Sequence, residues 1–291
     1  MSEYHVPVLL LQSVDALDVR PDGVYADATL GGGGHTREIL SRLGPSGRLI
    51  VFDRDADAIA NAPADPRVIT VHHNFRHIHH FVHYCGFPEG IDGILADLGV
   101  SSHQFDTGER GFSFRFDAPL DMRMDASGNA RNARDYLASA SEESLEKIFR
   151  DYGELEQPRR AASLIVRYRN AKPIETTTDL NEAVGSILKP AFEHKTLAKI
   201  YQALRIEVNS EMASLENFLK GAAASLKEGG RLSVITYHSL EDRLVKNFVR
   251  SGGVFKAVNK KPILPDEAEI GQNTRARSAK LRVAQKTGLD G

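Results

Sequence analysis

Four consecutive glycines, Gly31 to Gly34, follow an apolar run, Val24 to Leu30, and lead into a helical pattern. Glycines at such a strand-to-helix turn let the backbone bend sharply and let a ligand approach it closely. A P-loop ends in Gly-Lys-Ser/Thr, whereas this loop ends in Gly-His-Thr. A dinucleotide fingerprint that starts at Gly31 needs glycine or alanine at position 36, where Thr36 lies. The loop therefore predicts a ligand site that is not built for phosphate.

Asp53 ends the next strand-like run, Gly47 to Asp53. A carboxylate at this place in an α/β fold accepts hydrogen bonds from the hydroxyls of an adenosine ribose. S-adenosylmethionine carries a ribose but no phosphate, so it suits the glycine loop and Asp53 better than ATP or NAD does. A tight turn followed by a solvent-exposed aspartate is the alternative that the sequence leaves open.

Strand-like runs alternate with helical patterns, which predicts an α/β fold with a parallel sheet covered by helices. A longer helical pattern, from about Glu207 to Leu226, precedes the fifth run. The last two runs are candidates to complete the sheet. The predicted strands are Val24 to Leu30, Gly47 to Asp53, Arg67 to Val71, Ile91 to Leu98, Arg231 to Tyr237, Val254 to Val258 and Ala279 to Ala284.

About 130 residues separate Leu98 from Arg231, whereas a crossover between parallel strands needs only about a dozen or somewhat more. Helix-start signals recur in this interval, namely Ser141 before two glutamates, Pro158, and Thr178 before Asp179. We therefore predict a discontinuous domain of residues 1–105 and 201–291, interrupted by a helical domain of residues 106–200 that recognises the substrate.

Charge and cysteine content limit the partners and the compartment. The net charge is −2 and the pI is near 6.6, so a nucleic-acid binder with this sequence must concentrate its cations locally. Between Lys256 and Lys286, eight Lys or Arg residues stand against three acidic ones, which fits nucleic-acid binding or a solvated face. The single cysteine, Cys85, and the absence of a signal-peptide or membrane-spanning run predict a cytoplasmic protein without membrane contact.

Eight longer motifs occur in order along nearly the whole chain, and together they resemble the bacterial 16S ribosomal RNA cytosine-N4 methyltransferases of the MraW type. Such motifs are far more specific than a glycine loop alone. They are His5 to Leu10, Gly31 to His35, Asp97 to Ser102, Arg110 to Phe114, Pro119 to Met124, Gln202 to Ile206, His238 to Arg243 and Arg275 to Arg282.

The resemblance implies a Rossmann-like methyltransferase sheet with an inserted helical domain and S-adenosylmethionine as cofactor. Methyl transfer from a sulfonium is an in-line displacement, for which we expect no metal. The substrate that the resemblance implies is a cytidine of 16S ribosomal RNA near the decoding centre of the small subunit, and the oligomeric state, including a homodimer, stays open. The implied cofactor contacts are Gly33, Gly34, His35, Asp53, Phe75, Asp97 and Gln104. The sequence departs from the family pattern in its fourth glycine, in Tyr201 and Tyr237 where phenylalanine is common, and in a short segment between Lys261 and Arg275.

Asp97, at the end of the fourth predicted strand, is the candidate catalytic residue. An exocyclic amine needs an acceptor that orients it and removes a proton, and a strand-end carboxylate suits that role. Methylation of a pyrimidine carbon would instead need a cysteine nucleophile, and Cys85 lies outside every motif. Amino methyltransferases of DNA usually carry two prolines and an aromatic here, which Asp97 to Val100 lack. A DNA enzyme and a non-catalytic ribosome assembly factor remain the alternatives.

Other candidates have two interpretations each. Phe112, Phe114 or Tyr237 provides stacking for a flipped base, or the phenylalanines pack in a core. His238, Glu241, Asp242 and Arg243 bind substrate or form an ion-paired helix start. Six histidines between His72 and His83 include pairs at ligand spacing, but no cysteine or carboxylate completes a metal set, which favours surface histidines.

Overall fold

The computed structural model describes residues 7–99, 110–126, 130–251 and 253–288. Seven of its segments form one sheet in the order β3-β2-β1-β4-β5-β7-β6. Each of the seven predicted strands is present, with ends shifted by a few residues. They are β1 Val24–Asp27, β2 Arg48–Asp53, β3 Val68–His72, β4 Ile91–Asp97, β5 Leu226–Thr236, β6 Phe255–Ala257 and β7 Lys280–Lys286.

The sheet is parallel from β3 to β5 and antiparallel at the end that β7 and β6 form. The predicted parallel sheet is therefore confirmed for five strands. β7 runs opposite to them, and β6, which is antiparallel to β7, runs in their direction. A six-stranded doubly wound sheet usually has the order 3-2-1-4-5-6. Here the last strand, β7, lies between β5 and β6 and pairs with both of them. The predicted α/β class is confirmed.

Both faces of the sheet are buried, which explains why its strands read as continuous apolar runs rather than as alternating ones. Ala26, Phe52 and Ile94 point into one core together with Leu215 and Phe218. Their neighbours along the strands point into a second core on the opposite face, which contains Tyr25, Val51, Leu95, Val14 and Ile39. The helices that contribute to these cores are α1 Leu10–Asp15, α2 Gly34–Arg42, α4 Ile78–Tyr84, α10 Glu211–Ser225 and α11 Ser239–Ser251.

The chain divides into two compact units, Met1–Gly99 with Met212–Gly291, and Val100–Glu211. We call the first the sheet unit and the second the helical unit. The domain bounds drawn from the sequence, and the substrate role given to the insert, stay predictions. The remaining helices are α3 Ala56–Ile59 and α12 Glu267–Gln272 in the sheet unit, and α5 Ala133–Ser139, α6 Glu142–Asp151, α7 Pro158–Ala171, α8 Thr177–Val184 and α9 Glu193–Asn209 in the helical unit.

Helix starts in the helical unit follow the sequence signals with one correction. Ser141 caps α6 by accepting a hydrogen bond from the Ser144 amide, and Pro158 opens α7. The cap predicted at Thr178 is wrong, because Thr176 caps α8 and forms a reciprocal capping box with Asp179. The box needs an acid three residues after the cap, and that spacing selects Thr176.

The helical pattern predicted from Glu207 to Leu226 is interrupted. Ser210 adopts a left-handed conformation, with φ 49°, so α9 ends at Asn209 and α10 begins at Glu211. Asn209 is buried, and its side chain holds the backbone at Met122 and Met124. It accepts from the Met124 amide at 2.8 Å and donates to the Met122 carbonyl at 2.7 Å. In the described part of the chain, no helix has the length and apolarity needed to cross a membrane.

Candidate active site

Three carboxylates lie at the carboxyl ends of adjacent strands in the sheet unit. Asp27 ends β1, Asp53 ends β2 and Asp97 ends β4, and the sheet order places β1 between the other two. Ligands of open α/β sheets bind at this edge. The three side chains and the glycine loop that follows β1 therefore form one candidate site.

Glycine is needed in the loop at two positions for different reasons. Gly33 has a φ of 75°, a left-handed conformation that side chains other than glycine rarely adopt. A Cβ atom on Gly34 would lie 2.0 Å from Cγ of Pro7, so a side chain there would displace the N-terminal segment. The loop is thus held close to a second backbone segment and offers its own backbone to a ligand.

Asp53 is tied to the loop and still retains acceptor capacity. Its Oδ2 atom accepts from the Gly31 amide at 2.9 Å, and its Oδ1 atom accepts from the Asp55 amide at 2.9 Å. Burial raises the pKa of Asp53, which the backbone hydrogen bonds oppose. A carboxylate has about four acceptor positions. A ligand with neighbouring hydroxyl donors, such as a ribose, would therefore satisfy Asp53, and the lysine-free loop would not attract phosphate.

Asp97 is held beside two ring side chains. Its Oδ1 atom accepts from the Tyr237 hydroxyl at 2.7 Å, and its Oδ2 atom lies 3.9 Å from Nδ1 of His35. Its backbone amide donates to Oγ1 of Thr29 at 2.7 Å. Burial raises the pKa of Asp97 to about 6, although His35 and Tyr237 oppose the rise. Its side chain is nevertheless 23% exposed, so the carboxylate remains accessible.

His35 is buried at the start of α2, and one contact fixes its tautomer. Its Nε2 atom lies 3.2 Å from the Val8 carbonyl. A carbonyl only accepts, so Nε2 must carry the hydrogen. Burial lowers the pKa of His35, against the attraction of Asp97. The neutral imidazole therefore turns the lone pair of Nδ1 toward Asp97.

Asp27 is a buried site residue that the sequence reasoning missed. Its Oδ2 atom accepts from Oγ1 of Thr36 at 2.6 Å, and its Oδ1 atom accepts from the Thr29 amide at 3.1 Å. Burial raises the pKa of Asp27. The sequence did carry a signal, because an acid at the end of the first strand stands four residues before Gly31. Asp27 joins the strand end to the first turn of α2 through Thr36.

The two remaining predicted cofactor contacts are Phe75 and Gln104. Phe75 begins a short 3₁₀ turn after β3, and its half-buried ring packs edge-on against Phe218 at 5.2 Å between centroids. It follows the strand beyond β2, so it lies at the same sheet edge. Gln104 lies outside the described residues. Binding of the cofactor by any of these residues stays a prediction.

The aromatic candidates separate in the structure. Phe112 is 5% exposed and belongs to the core of the helical unit, and Phe114 packs against Tyr201 and His194. Core packing is therefore the interpretation that their contacts support. Tyr237 instead contacts Asp97 directly.

The residues after β5 mainly organise a helix start and an ion pair. Oε2 of Glu241 accepts from the backbone amides of Tyr237 and His238 at 2.8 and 3.3 Å. Asp242 pairs with Arg282 at 2.5 Å and with Lys280 at 3.5 Å, so two cations of the basic C-terminal segment share one carboxylate within the sheet unit. These contacts support the helix-start interpretation.

The histidine-rich segment lies largely at the surface. His73 packs on His77 and His79 packs on His83, with ring centroids 4.8 and 4.5 Å apart. Within residues 7–99, 110–126, 130–251 and 253–288, none of these histidines belongs to a group of three metal-ligand side chains. The expectation of a metal-free protein stays a prediction.

Comparison with known proteins identifies the family. Residues 2–287 match the model of the MraW methylase family. The chain belongs to this family. Curated relatives from Bacteroides fragilis and Flavobacterium johnsoniae, both named ribosomal RNA small subunit methyltransferase H, are 53% and 51% identical and align over 97% and 98% of both chains. A solved structure of a putative rRNA-methylase from Clostridium thermocellum aligns with a TM-score of 0.45 and 17% identity, over 97% of this chain and 98% of that one.

Membership of the MraW methylase family confirms two predictions made from the motifs. The predicted family is correct, and the cofactor of this methylase is S-adenosylmethionine. The lysine-free glycine loop and the remaining acceptor capacity of Asp53 fit that cofactor, which has a ribose and no phosphate.

Proposed function

We propose that this MraW methylase transfers a methyl group to the exocyclic N4 amine of a cytidine in 16S ribosomal RNA, near the decoding centre of the small subunit. Its relatives at 50% identity or more carry the name of a small-subunit ribosomal RNA methyltransferase, which supports an RNA substrate. The observation that carries the choice of an amine is the partly exposed Asp97 carboxylate at the end of β4.

Gly33, Gly34, His35, Asp53 and Asp97 hold the cofactor in this proposal, with Phe75 and Gln104 as further contacts. Asp53 accepts from the ribose hydroxyls, and the loop backbone lies against the remainder of the molecule. When bound, S-adenosylmethionine would supply a methyl group that its sulfonium makes electrophilic, and the sulfur would leave as a neutral thioether that keeps the electron pair of the broken S–C bond. Most of the rate enhancement then comes from holding the amine in line with that methyl group.

Asp97 acts on the amine. Its carboxylate accepts a hydrogen bond from the amino group and thereby orients the nitrogen. As the new nitrogen–carbon bond forms, an N–H bond breaks, its electron pair stays on nitrogen and its proton passes to the carboxylate. With a pKa raised to about 6, Asp97 is mostly ionised at neutral pH and is a better proton acceptor than an ordinary aspartate.

The test is product identification. The protein and isotope-labelled S-adenosylmethionine are incubated with small ribosomal subunits that lack the modification, and the RNA is digested to nucleosides for mass spectrometry. We expect labelled N4-methylcytidine. Label in another nucleoside would contradict the N4 assignment, and label in duplex DNA but not in RNA would favour the alternative of a DNA enzyme.

The absence of transfer alongside retained cofactor binding would favour a non-catalytic assembly factor. Cofactor binding is therefore measured by calorimetry on the same preparation. Asp97→Asn provides the matched control, since it should produce no labelled nucleoside above background, and calorimetry reports how much cofactor affinity it keeps.

A further inference from the structure

Tyr237 connects the ends of two neighbouring strands. It follows the last residue of β5, and its hydroxyl donates to Oδ1 of Asp97, the last residue of β4, at 2.7 Å. Its backbone amide donates to Oε2 of Glu241 at 2.8 Å, which anchors the residue at the start of α11. The backbone and the hydroxyl of Tyr237 are therefore both held in place by hydrogen bonds.

Gly99 lets the tyrosine ring take this position. A Cβ atom on Gly99 would lie 3.2 Å from Cδ2 of Tyr237, and Gly99 has a φ of 113°, which only glycine adopts readily. The ring thus lies against bare backbone two residues beyond Asp97. The close approach fixes the hydroxyl relative to the carboxylate.

The two oxygens of Asp97 have different surroundings. Oδ1 receives the Tyr237 hydroxyl, whereas Oδ2 faces Nδ1 of His35 at 3.9 Å, beyond hydrogen-bond distance. The hydrogen on Nε2 of His35 points to the Val8 carbonyl, so neutral His35 offers Oδ2 no donor. Among the residues that the structure describes, Tyr237 is the only hydrogen-bond donor to this carboxylate.

We propose that Tyr237 is a positioning residue: its hydroxyl occupies Oδ1 of Asp97, so that Oδ2 is the oxygen that accepts the amino group and then its proton. This inference rests on the proposed function, in which Asp97 is the acceptor. It goes beyond that function because it assigns Oδ2 as the accepting oxygen and Tyr237 as the residue that leaves Oδ2 available. Because the hydroxyl donates to the ionised form, it also keeps Asp97 ionised at lower pH than burial alone would allow.

Four groups face Asp97 and set its titration. Burial raises its pKa, and the nearby acids Asp27 at the end of β1 and Glu241 on α11 raise it further. The positive charge that His35 on α2 carries when it is protonated and the hydrogen bond from the Tyr237 hydroxyl lower it. Removal of the hydroxyl leaves the other three groups in place, so the pKa of Asp97 must rise above its value of about 6.

Tyr237→Phe tests the proposal because it removes the hydroxyl and keeps the ring. In single-turnover methylation of undermethylated small subunits, the acid limb of the rate should move up by about one pH unit, since a charge-assisted hydrogen bond is lost. The rate should recover toward the parent value at pH 9, and cofactor affinity should stay unchanged. A purely structural role would lower the rate at every pH without moving the limb.

Tyr201→Phe is the matched control. Its hydroxyl is also buried, but it shares its one hydrogen between the Thr177 carbonyl at 3.2 Å and Oδ1 of Asn181 at 3.0 Å in the helical unit. The same atom is deleted without touching a carboxylate that titrates, so the acid limb should stay in place. An equal shift in both variants would overturn the proposal.

A second readout separates this inference from the proposed function. The ¹³C carboxyl resonance of Asp97, assigned with Asp97→Asn, is titrated in the parent and in Tyr237→Phe without any RNA. A raised midpoint in the variant supports the Tyr237 contact even if the substrate proves to be different. An unchanged midpoint overturns the inference and leaves the methylation result standing.

Discussion

Each unit contains a poorly exposed aspartate at the end or start of an element, and the two differ in what their surroundings do to the pKa. Asp179 in the helical unit is surrounded by donors: Lys172 at 2.6 Å and the amides of Glu175 and Thr176 at 3.1 and 3.0 Å. Burial works to raise its pKa, but these donors together lower it to about 2. For Asp97, burial prevails and the pKa rises to about 6.

The difference is the one expected between a structural carboxylate and the proton acceptor that we propose. Asp179 has its acceptor positions filled by its own unit, so the fold stabilises its charge and leaves nothing for a ligand. Asp97 receives one hydroxyl and keeps an oxygen that neutral His35 cannot satisfy. An acid that is costly to ionise and incompletely bonded is the kind that general acid–base chemistry uses.

The largest effect that tests this comparison is loss of catalysis. Asp97→Asn should reduce single-turnover methyl transfer by about 10²- to 10⁴-fold, because the amine loses its proton acceptor. Cofactor affinity, measured by calorimetry, should fall far less than the rate, because Asp97 is one of several predicted cofactor contacts. Asp179→Asn makes the same chemical change in the helical unit and should leave the rate near that of the parent. Comparable loss in both variants would remove the distinction between the two acids.

The same pair should differ in how stability depends on pH. The folded pKa of Asp97 is raised, so its favourable contribution is present below about pH 4 and is lost as the pH rises through about 6. Asp97→Asn should therefore stabilise the protein at pH 7.5, by about 3 kcal/mol relative to the parent. Urea titrations followed by circular dichroism at pH 4 and 7.5 measure this.

Asp179 should behave in the opposite way. Its folded pKa is lowered, so its contribution is present above the unfolded value near pH 4 and is lost as the pH falls toward about 2. Asp179→Asn should lower the urea midpoint at pH 7.5, where Asp97→Asn raises it. The comparison fails if both substitutions move the midpoint in the same direction.

Part of the candidate site was predictable from the sequence, because the position of a residue at the end of a strand depends on its neighbours along the chain. The glycine loop, Asp53 and Asp97 each stand at the end of an apolar run, and parallel strands bring such ends to one edge. The Asp97–Tyr237 contact was not predictable in this way. The two residues are 140 positions apart, and their contact needs β4 beside β5 and a glycine at position 99.

The antiparallel β7 and the cap of α8 illustrate two other limits. The run that becomes β7 has an apolar pattern that is the same in either direction, so only the order of the sheet reveals that it is antiparallel. At α8, Thr176, Thr177 and Thr178 are consecutive, and any of them is a suitable cap by residue type. The choice depends on which hydroxyl reaches a free amide.

Glycine substitutions in the sheet unit and in the helical unit should differ by a smaller effect. Gly34→Ala should weaken S-adenosylmethionine binding by about tenfold or more, or about 1.4 kcal/mol, because the new Cβ must displace Pro7 and the loop with it. Gly185→Ala is the control, since Gly185 follows α8 with a φ of −50° and a Cβ there would meet no atom within 4 Å. Calorimetric titration with the cofactor compares them. Equal affinity of Gly34→Ala and the parent would show that the loop is not a binding element.

The smallest effect concerns the cap that Asp179 completes. Thr176→Ala removes the hydroxyl that accepts from the Asp179 amide and should destabilise the protein by about 1 kcal/mol. Thr178→Ala, two residues later at an exposed position, should change stability by less than about 0.5 kcal/mol. Urea midpoints at pH 7.5 distinguish the pair. Because the box is reciprocal, the cost of Thr176→Ala should shrink in the Asp179→Asn background, whereas additive costs would mean that Asp179 stabilises α8 through Lys172 and the helix dipole alone.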